Sequence, residues 1–302
     1  MKNVFGMSDL GLLSYYLGIE VTQGHAGITL SQRAYAVKLL ERSGMQDCNP
    51  TASPMEPRLK MGKESDSPAV NATEYKRIIG GLRYLVHTRP DLAFSVGFLS
   101  QFMETPHEEH LSAVKRVLRY VAGTRSYGLQ YKQGEGEELK LVGYSDADLA
   151  GDIDQRKSTS GIAFFLGQNP ITWQSSKQKV VALSSCEAEY IAAASASCQG
   201  VWLARLLGDF IGVEPGAPEL KVDNMAAISL SKNPVFHDRS KHIDTRYHYI
   251  RECIDGNRIV IEHVSTEKQL ADILTKALGR VRFQQIRSEI GVKEITTDSV
   301  TD

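Results

Sequence analysis

The chain has 302 residues, 42% apolar and 24% charged, the balance of a soluble globular protein with one large or two ordinary domains. Its formal net charge of −1 excludes attraction to nucleic acid or membrane by a global field and leaves only local patches. Cys48, Cys186, Cys198 and Cys253 lack metal-ligand spacing and suit a reducing compartment, MKNVFGMSDL lacks the apolar core of a signal peptide, and no apolar run approaches the roughly 18 residues that cross a bilayer.

In chain order, YYLGIEVTQGHAGITL (15–30) predicts a hairpin of two alternating runs around a Gly24–Gly27 turn. Ser31 then stands where a cap would open the helix QRAYAVKLLERSG, which ends at Gly44. Four of the ten prolines fall between Asp47 and Asn71, the composition of a long connection. EYKRIIGGLRYLVHT is helical up to Pro90, and LAFSVGFLSQFM continues as a second helix. In TPHEEHLSAVKRVLRYVAG, Thr105 is placed as N-cap, Pro106 at the first helical position and Glu108 at the capping-box position. Leu111, Val114, Leu118 and Val121 share its apolar face, away from Lys115, Arg116 and Arg119. His107 and His110 are helix neighbours without a third ligand, which predicts solvated first-turn residues rather than a metal site.

QGEGEE (133–138) reads as a linker, after which the pattern changes. Strands are expected at 139–146, 160–167 and 171–183, then a long helix from Glu187 to Ile211. A strand at 219–223, helices at 225–231 and 240–255, a strand at 258–265 and a last helix from Lys268 to Ile290 complete an α/β domain.

Two of these strands, LKLVGYSD and ELKVD, end in a carboxylate: Asp146 and Asp223. If the long helix is a right-handed crossover, the two strands lie parallel and bring both acids to the carboxyl edge of the sheet, where open α/β sheets place their sites. Adjacent carboxylates persist only with a cation or a shared proton, and hard divalent ions such as Mg²⁺ or Mn²⁺ suit oxygen ligands. Glu187 and Glu189 near the start of the long helix, and Asp272 near the start of the last, are further candidates for that edge. The helix dipole alone also favours acids there, so the argument rests on their convergence. Asp148 shares a strand face with Asp146 by alternation; with Asp152 it is the reserve candidate, and both are expected as solvated loop acids.

GYSDADLAGD, RKSTSGIAFFLG, ITWQSSKQKVVALSSCEAEYIAA, KVDNMAAI, KHIDTRYHYIRE and ADILTK together resemble the ribonuclease H domain of copia-type long-terminal-repeat retrotransposon polyproteins. Upstream, MSDLGLLSYYLGIEV, IIGGLRYLVHTRPDLAFSVG and HLSAVKRVLRYVAGT resemble the end of the reverse transcriptase of the same family. The resemblance implies residues 1–132 as palm end, thumb and connection, mainly helical with a β-hairpin, residues 139–291 as a ribonuclease H-like mixed five-stranded sheet with flanking helices, and 292–302 as a tail. It implies Asp146, Glu189, Asp223 and Asp272 as ligands of two Mg²⁺ or Mn²⁺ ions, with Glu189 preferred to Glu187 by matching Glu-Tyr-Ile-Ala-Ala to the Glu-Leu-x-Ala pattern of ribonucleases H. The implied reaction is hydrolysis of the RNA strand of an RNA–DNA hybrid, with Asp146 bridging the ions.

Ser184, Ser185, Arg156, Lys157 and Lys177 are candidates for contacts to the substrate backbone, with an ordinary surface role as the alternative. His242 is a candidate for assisting product release or a helix cap; the family's histidine usually lies between the last strand and last helix, where VSTEKQ has none after His263. Leu149 stands where the family usually has Trp, and Met225 and Ala226 where polar residues are common. There is no Asp-Asp pair for the Tyr-x-Asp-Asp turn of the polymerase, so no DNA synthesis is expected, and no protease or integrase part is expected among these 302 residues. The implied partners are an RNA–DNA hybrid and the rest of the polyprotein, with no membrane; the implied location is cytoplasmic, in virus-like particles, or nuclear. Two alternatives stay open: a catalytically inactive remnant that at most binds nucleic acid, and a transposase or integrase. The placement of the helix glutamate directly after the third strand disfavours the latter.

Overall fold

The computed structural model describes residues 11–25, 27–134, 139–213, 215–232, 243 and 245–295. The first of its two five-stranded sheets is antiparallel, in the order β1 (Tyr15–Tyr16), β2 (Ile19–Gly24), β3 (Gly27–Ser31), β4 (Tyr127–Tyr131), β10 (Val292–Glu294). The expected hairpin is there, with Gly24 opposite Gly27. Gly27 has φ +121°, and a Cβ on it would lie 2.0 Å from the Tyr131 carbonyl oxygen, so a side chain would force β3 and β4 apart. Ser31 does not cap the helix. It ends β3, with its hydroxyl on the Glu20 carboxylate, and α1 (Arg33–Arg42) begins after Gln32 without a side-chain cap. Strand pairing claimed the residue first.

β10 also corrects the expected tail: Val292 to Glu294 pair with Leu129 to Tyr127, while residues 296–302 lie outside the described part. Neither β4 nor β10 is long enough to announce itself by alternation, and each is fixed by its neighbour rather than by its own pattern.

The helices of the first half are α1, α2 (Ala72–Leu85), α3 (Ala93–Leu99) and α4 (Glu108–Gly123). Asn71 caps α2 by accepting from the Glu74 N–H at 3.1 Å. On α4, Val114, Leu118 and Val121 are fully buried and Leu111 partly so, as the periodicity predicts. Its start differs from expectation. Residues 68–70 run beside 106–108, bonded Val70 N–H to Pro106 O and Glu108 N–H to Pro68 O at 2.9 Å each, which draws Thr105 and Pro106 out of the cap. His107 becomes the N-cap, and its N–H donates to Nδ1 of His110 at 3.0 Å. His110 is therefore no solvated residue: it is buried, stacks on Phe102 with ring centroids 4.0 Å apart, and contacts Gly62 O through Nε2. Burial lowers its pKa, so the ring stays neutral.

The second sheet has β5 (Leu141–Ala147), β6 (Thr159–Leu166), β7 (Asn169–Lys177), β8 (Glu219–Val222) and β9 (Val260–His263), in the order β7-β6-β5-β8-β9. β6 is antiparallel to both neighbours; β8 is parallel to β5 and β9. α5 (Ser185–Ile211) crosses from β7 to β8, followed by α6 (Met225–Lys232), α7 (Tyr249–Asp255) and α8 (Arg280–Glu289). This is the expected ribonuclease H-like mixed α/β fold.

β6 explains how the halves meet. Ile162 and Phe164 pack into the core under α5, whereas Ala163 and Phe165 join a second core with α2, α3, α4 and α8. A strand buried on both faces reads as a continuous apolar run, and SGIAFFLG is one. The tryptophan of β7 adds a polar clasp, Trp173 Nε1 donating to Val86 O at 3.1 Å.

Candidate active site

The carboxylate cluster begins with the parallel register. Ser145 of β5 lies opposite Val222 of β8, so Asp146 and Asp223 leave the sheet side by side at its carboxyl edge. α5 brings the third acid. Its N-cap Ser184 accepts from the Glu187 N–H at 3.2 Å, and the Glu187 carboxylate turns back to the Leu183 N–H at 2.8 Å. Glu187 is thus used at the helix end, while Glu189 faces the sheet. Ligand atoms of Asp146, Glu189 and Asp223 all lie within 4.8 Å of one another. Small residues on the buried side of α5, Ala188, Ala192, Ala193 and Ala196, let the helix approach closely enough to deliver that glutamate.

Asp272 arrives differently from expectation. The helix from Lys268 to Ile290 is broken into 3₁₀ turns at Thr266–Lys268 and Leu270–Leu274, and α8 starts only at Arg280. Gln269 causes the break: extended at ψ 105°, it donates through Nε2 to Ser145 O at 2.9 Å and accepts the Ala271 N–H at 3.2 Å. That pins the turn to β5. Gly161 completes the approach, since a Cβ there would lie 2.8 Å from Ala271 O and 2.7 Å from the Thr275 methyl. Asp272 does not belong to the three-carboxylate group; a lysine lies between. Lys276 Nζ is 2.6 Å from Asp272 Oδ1 and 3.5 Å from Asp146 Oδ2, and Arg282 stands 3.6 Å from the other Asp272 oxygen. Thr275 donates its hydroxyl to Asp146, and Thr266 donates to Asp223 at 3.2 Å. Sequence reasoning assigned Lys276, Thr275 and Gln269 no role. Only the Asp272–Lys276 spacing, an i,i+4 pair, carried a signal.

The cluster is electrostatically unsettled. Burial, then the charges of Asp146 and Asp223, pushes the Glu189 carboxyl far above the usual range. Burial and Asp146 raise Asp223, and burial and Asp146 push Asp272 up to about 6 against the pull of Lys276. Lys276 is raised despite its burial because Asp146 and Asp272 hold its charge. Among the described residues, Glu189 Oε2 is buried without a hydrogen-bond partner. A buried carboxylate oxygen left unpaired among like charges costs stability unless a proton or a cation joins it. The donor set is all oxygen and all anionic, so the residues fit a hard divalent ion.

The reserve acids are not solvated. Asp148 accepts the Thr159 N–H and is pushed up to about 6 by burial and by Asp146, the Thr159 bond opposing. Asp152 is buried and holds Lys177 Nζ at 2.7 Å. Of the expected substrate contacts, Ser184 serves as the cap of α5, Ser185 is exposed beside it, and Lys177 is committed to Asp152. Arg156 is exposed at φ +57° with Lys157 next to it in the β5–β6 loop, and no described contact joins either to the carboxylates. His263 lies in β9; His242 falls outside the described residues.

A 3-2-1-4-5 sheet with a reversed second strand, and carboxylates on strands one and four and the intervening helix, defines a ribonuclease H-like protein. The comparisons agree at the level of sequence. Residues 1–57 match the family model for reverse transcriptase (RNA-dependent DNA polymerase). The Pol polyprotein of transposon RE1 of Arabidopsis thaliana is 45% identical over 96% of this chain, which spans 20% of that relative. An uncharacterised mitochondrial protein of the same plant is 36% identical over 67% of this chain and 83% of its own length. Among solved structures, the N-terminal RNase H domain of Rv2228c from Mycobacterium tuberculosis aligns with 50% of this chain and 98% of that domain, at 15% identity and a TM-score of 0.33. The chain belongs to the copia-type retrovirus-related Pol polyproteins of transposons and spans about a fifth of the polyprotein relatives it matches. Among the described residues no helix is long and apolar enough to cross a membrane.

Proposed function

We propose that this chain is a divalent-metal-dependent endoribonuclease that cuts the RNA strand of RNA–DNA hybrids and does not itself synthesise DNA. The observation that carries the reading is the convergence of Asp146, Glu189 and Asp223 from three separate elements, with Glu189 Oε2 buried and unpaired. Mg²⁺ or Mn²⁺ bound there would supply Lewis-acid polarisation of the scissile phosphate and a more acidic water. Asp146, Glu189 and Asp223 would hold the metal, with Asp146 also facing the Asp272 side, where Lys276 stands. Thr275 and Thr266 fix the Asp146 and Asp223 carboxylates by donating to them, and Gln269 holds the Asp272 turn against β5. We assign residues 1–132 to the end of a reverse transcriptase and residues 139–291 to the nuclease. The rest of the polyprotein is the proposed partner in the cell.

The test is cleavage of an end-labelled RNA–DNA hybrid with Mg²⁺ or Mn²⁺, beside Asp146→Asn and Glu189→Gln. Cutting of the RNA strand alone, lost in both variants and in chelator, is expected. Absence of cutting by a protein shown to be folded would leave the inactive-remnant reading in its place.

A further inference from the structure

A groove of about 880 Å³ runs between the helices of the first half and the β7 edge of the second sheet. Its walls carry Tyr84 and His87 from the end of α2, Phe94 and Phe98 from α3, and Trp173 from β7. Its cations are Arg83, Lys63 and Lys177, the last paired with Asp152 behind it, and among the described residues no carboxylate lines it. That is a marked segregation in a chain of net charge −1. Arg83, His87 and Lys63 are exposed, and the rings of Tyr84, Phe94, Phe98 and Trp173 are half-buried. The Trp173 ring is held in place by its bond to Val86 O.

A second cavity shares Phe94, Phe98, Gln101 and Thr159 with the first and continues past Arg58 and Lys60 to Asp148, Thr275 and Lys276. The two adjoin across these shared side chains, and the second reaches Thr275 and Lys276, both of which contact Asp146. A membrane surface or a folded partner would meet a flat face; this is a channel of flat rings and cations with a nuclease-like site at one end.

We propose that this groove binds a single-stranded polynucleotide extending from a duplex seated at the carboxylate site. Cations along a groove track phosphates, and aromatic faces accept bases by stacking. In a duplex each base face is already covered by the neighbouring pair, so rings arranged this way select unpaired nucleotides. The inference rests on the nuclease reading for the position of the duplex, not for the binding itself.

The experiment measures affinity of the full chain in chelator, by fluorescence anisotropy, for blunt hybrids and for hybrids with 5′ or 3′ overhangs of oligo-dT or oligo-rU. At least one overhang is expected to tighten binding about tenfold over the blunt hybrid, and Arg83→Glu with Lys63→Glu should reduce that ratio to near one. Equal affinity for blunt and all overhang substrates, or an overhang gain untouched by the double substitution in a folded protein, overturns the proposal. A readout without any groove substitution stands beside it. In Trp202→Phe, Trp173 is the only tryptophan left of two, and its fluorescence should be quenched by an oligo-dT overhang and not by a blunt end. No quenching on saturation also overturns the proposal. Because metal and cleavage play no part in either measurement, an inactive carboxylate site with an intact overhang preference would sink the nuclease reading and leave the groove standing.

Discussion

The chain buries two clusters of charge, and they are built in opposite ways. In the first half, Arg89 is buried and all three of its guanidinium nitrogens donate: to Asp91 at 2.9 and 2.8 Å and to the carbonyl and hydroxyl of Thr124 at 2.9 Å each. Tyr120 adds a bond to Asp91 at 2.6 Å and in turn accepts from Arg287 of α8 at 3.1 Å. In the second half, Asp146, Glu189 and Asp223 face each other, and among the described residues Lys276 is the one cation that reaches in, from the Asp272 side. A neutralised buried cluster locks parts together. An unneutralised one is kept at a cost in stability, and that excess of negative charge is what a cation can use.

The comparison breaks most easily at the ion pair. Arg89→Met leaves Asp91 buried with no cation beside it and, among the described side chains, only Tyr120 donating to it, and a loss of about 3–5 kcal/mol is expected in urea unfolding. Arg89→Met with Asp91→Leu should recover much of it; a single variant as stable as the parent would mean the pair locks nothing. Adding Mg²⁺ or Mn²⁺ at about 100 times its dissociation constant should stabilise the chain by about 2.7 kcal/mol, seen as a higher Tm, and Glu189→Gln should remove most of that shift. In the metal-free chain the sign reverses: Asp223→Asn should stabilise by about 1–2 kcal/mol, because a charge repelling Asp146 is gone. Destabilisation by it would show that the cluster is satisfied without metal.

The smallest expected effect is in pH. Asp148 has its folded-state pKa raised to about 6, so protonation favours the native state. Its contribution is full below the unfolded-state value near 4 and is lost as pH rises through about 6. Metal-free Tm should therefore fall across that window, and Asp148→Asn should flatten the fall.

Much of the second half was legible because its signals are local. Alternation gave β5 and β8, and a continuous apolar run gave β6, nearly to the residue, and the carboxylates at the ends of β5 and β8 needed only the assumption of a crossover. Glu189 was preferred to Glu187 by motif; in the structure it is Glu189 that lies beside Asp146 and Asp223, while Glu187 accepts the Leu183 N–H. The first half was less legible. His110 looked like a surface residue because nothing local says that Gly62 and Phe102 close over it.

The sequence by itself determined which segments could be strands and helices, and which acids stood at their ends. Side-chain periodicity and chain direction are properties of consecutive residues. Tertiary structure alone decided that β10 closes a sheet begun at residue 15, that the last helix breaks at Gln269, and that Lys276 enters between Asp146 and Asp272. Each of these depends on a partner more than a hundred residues away: β10 on β4, Gln269 on Ser145, Lys276 on Asp146. Their free energy comes from hydrogen bonds and charge contacts that exist only once the chain has closed upon itself.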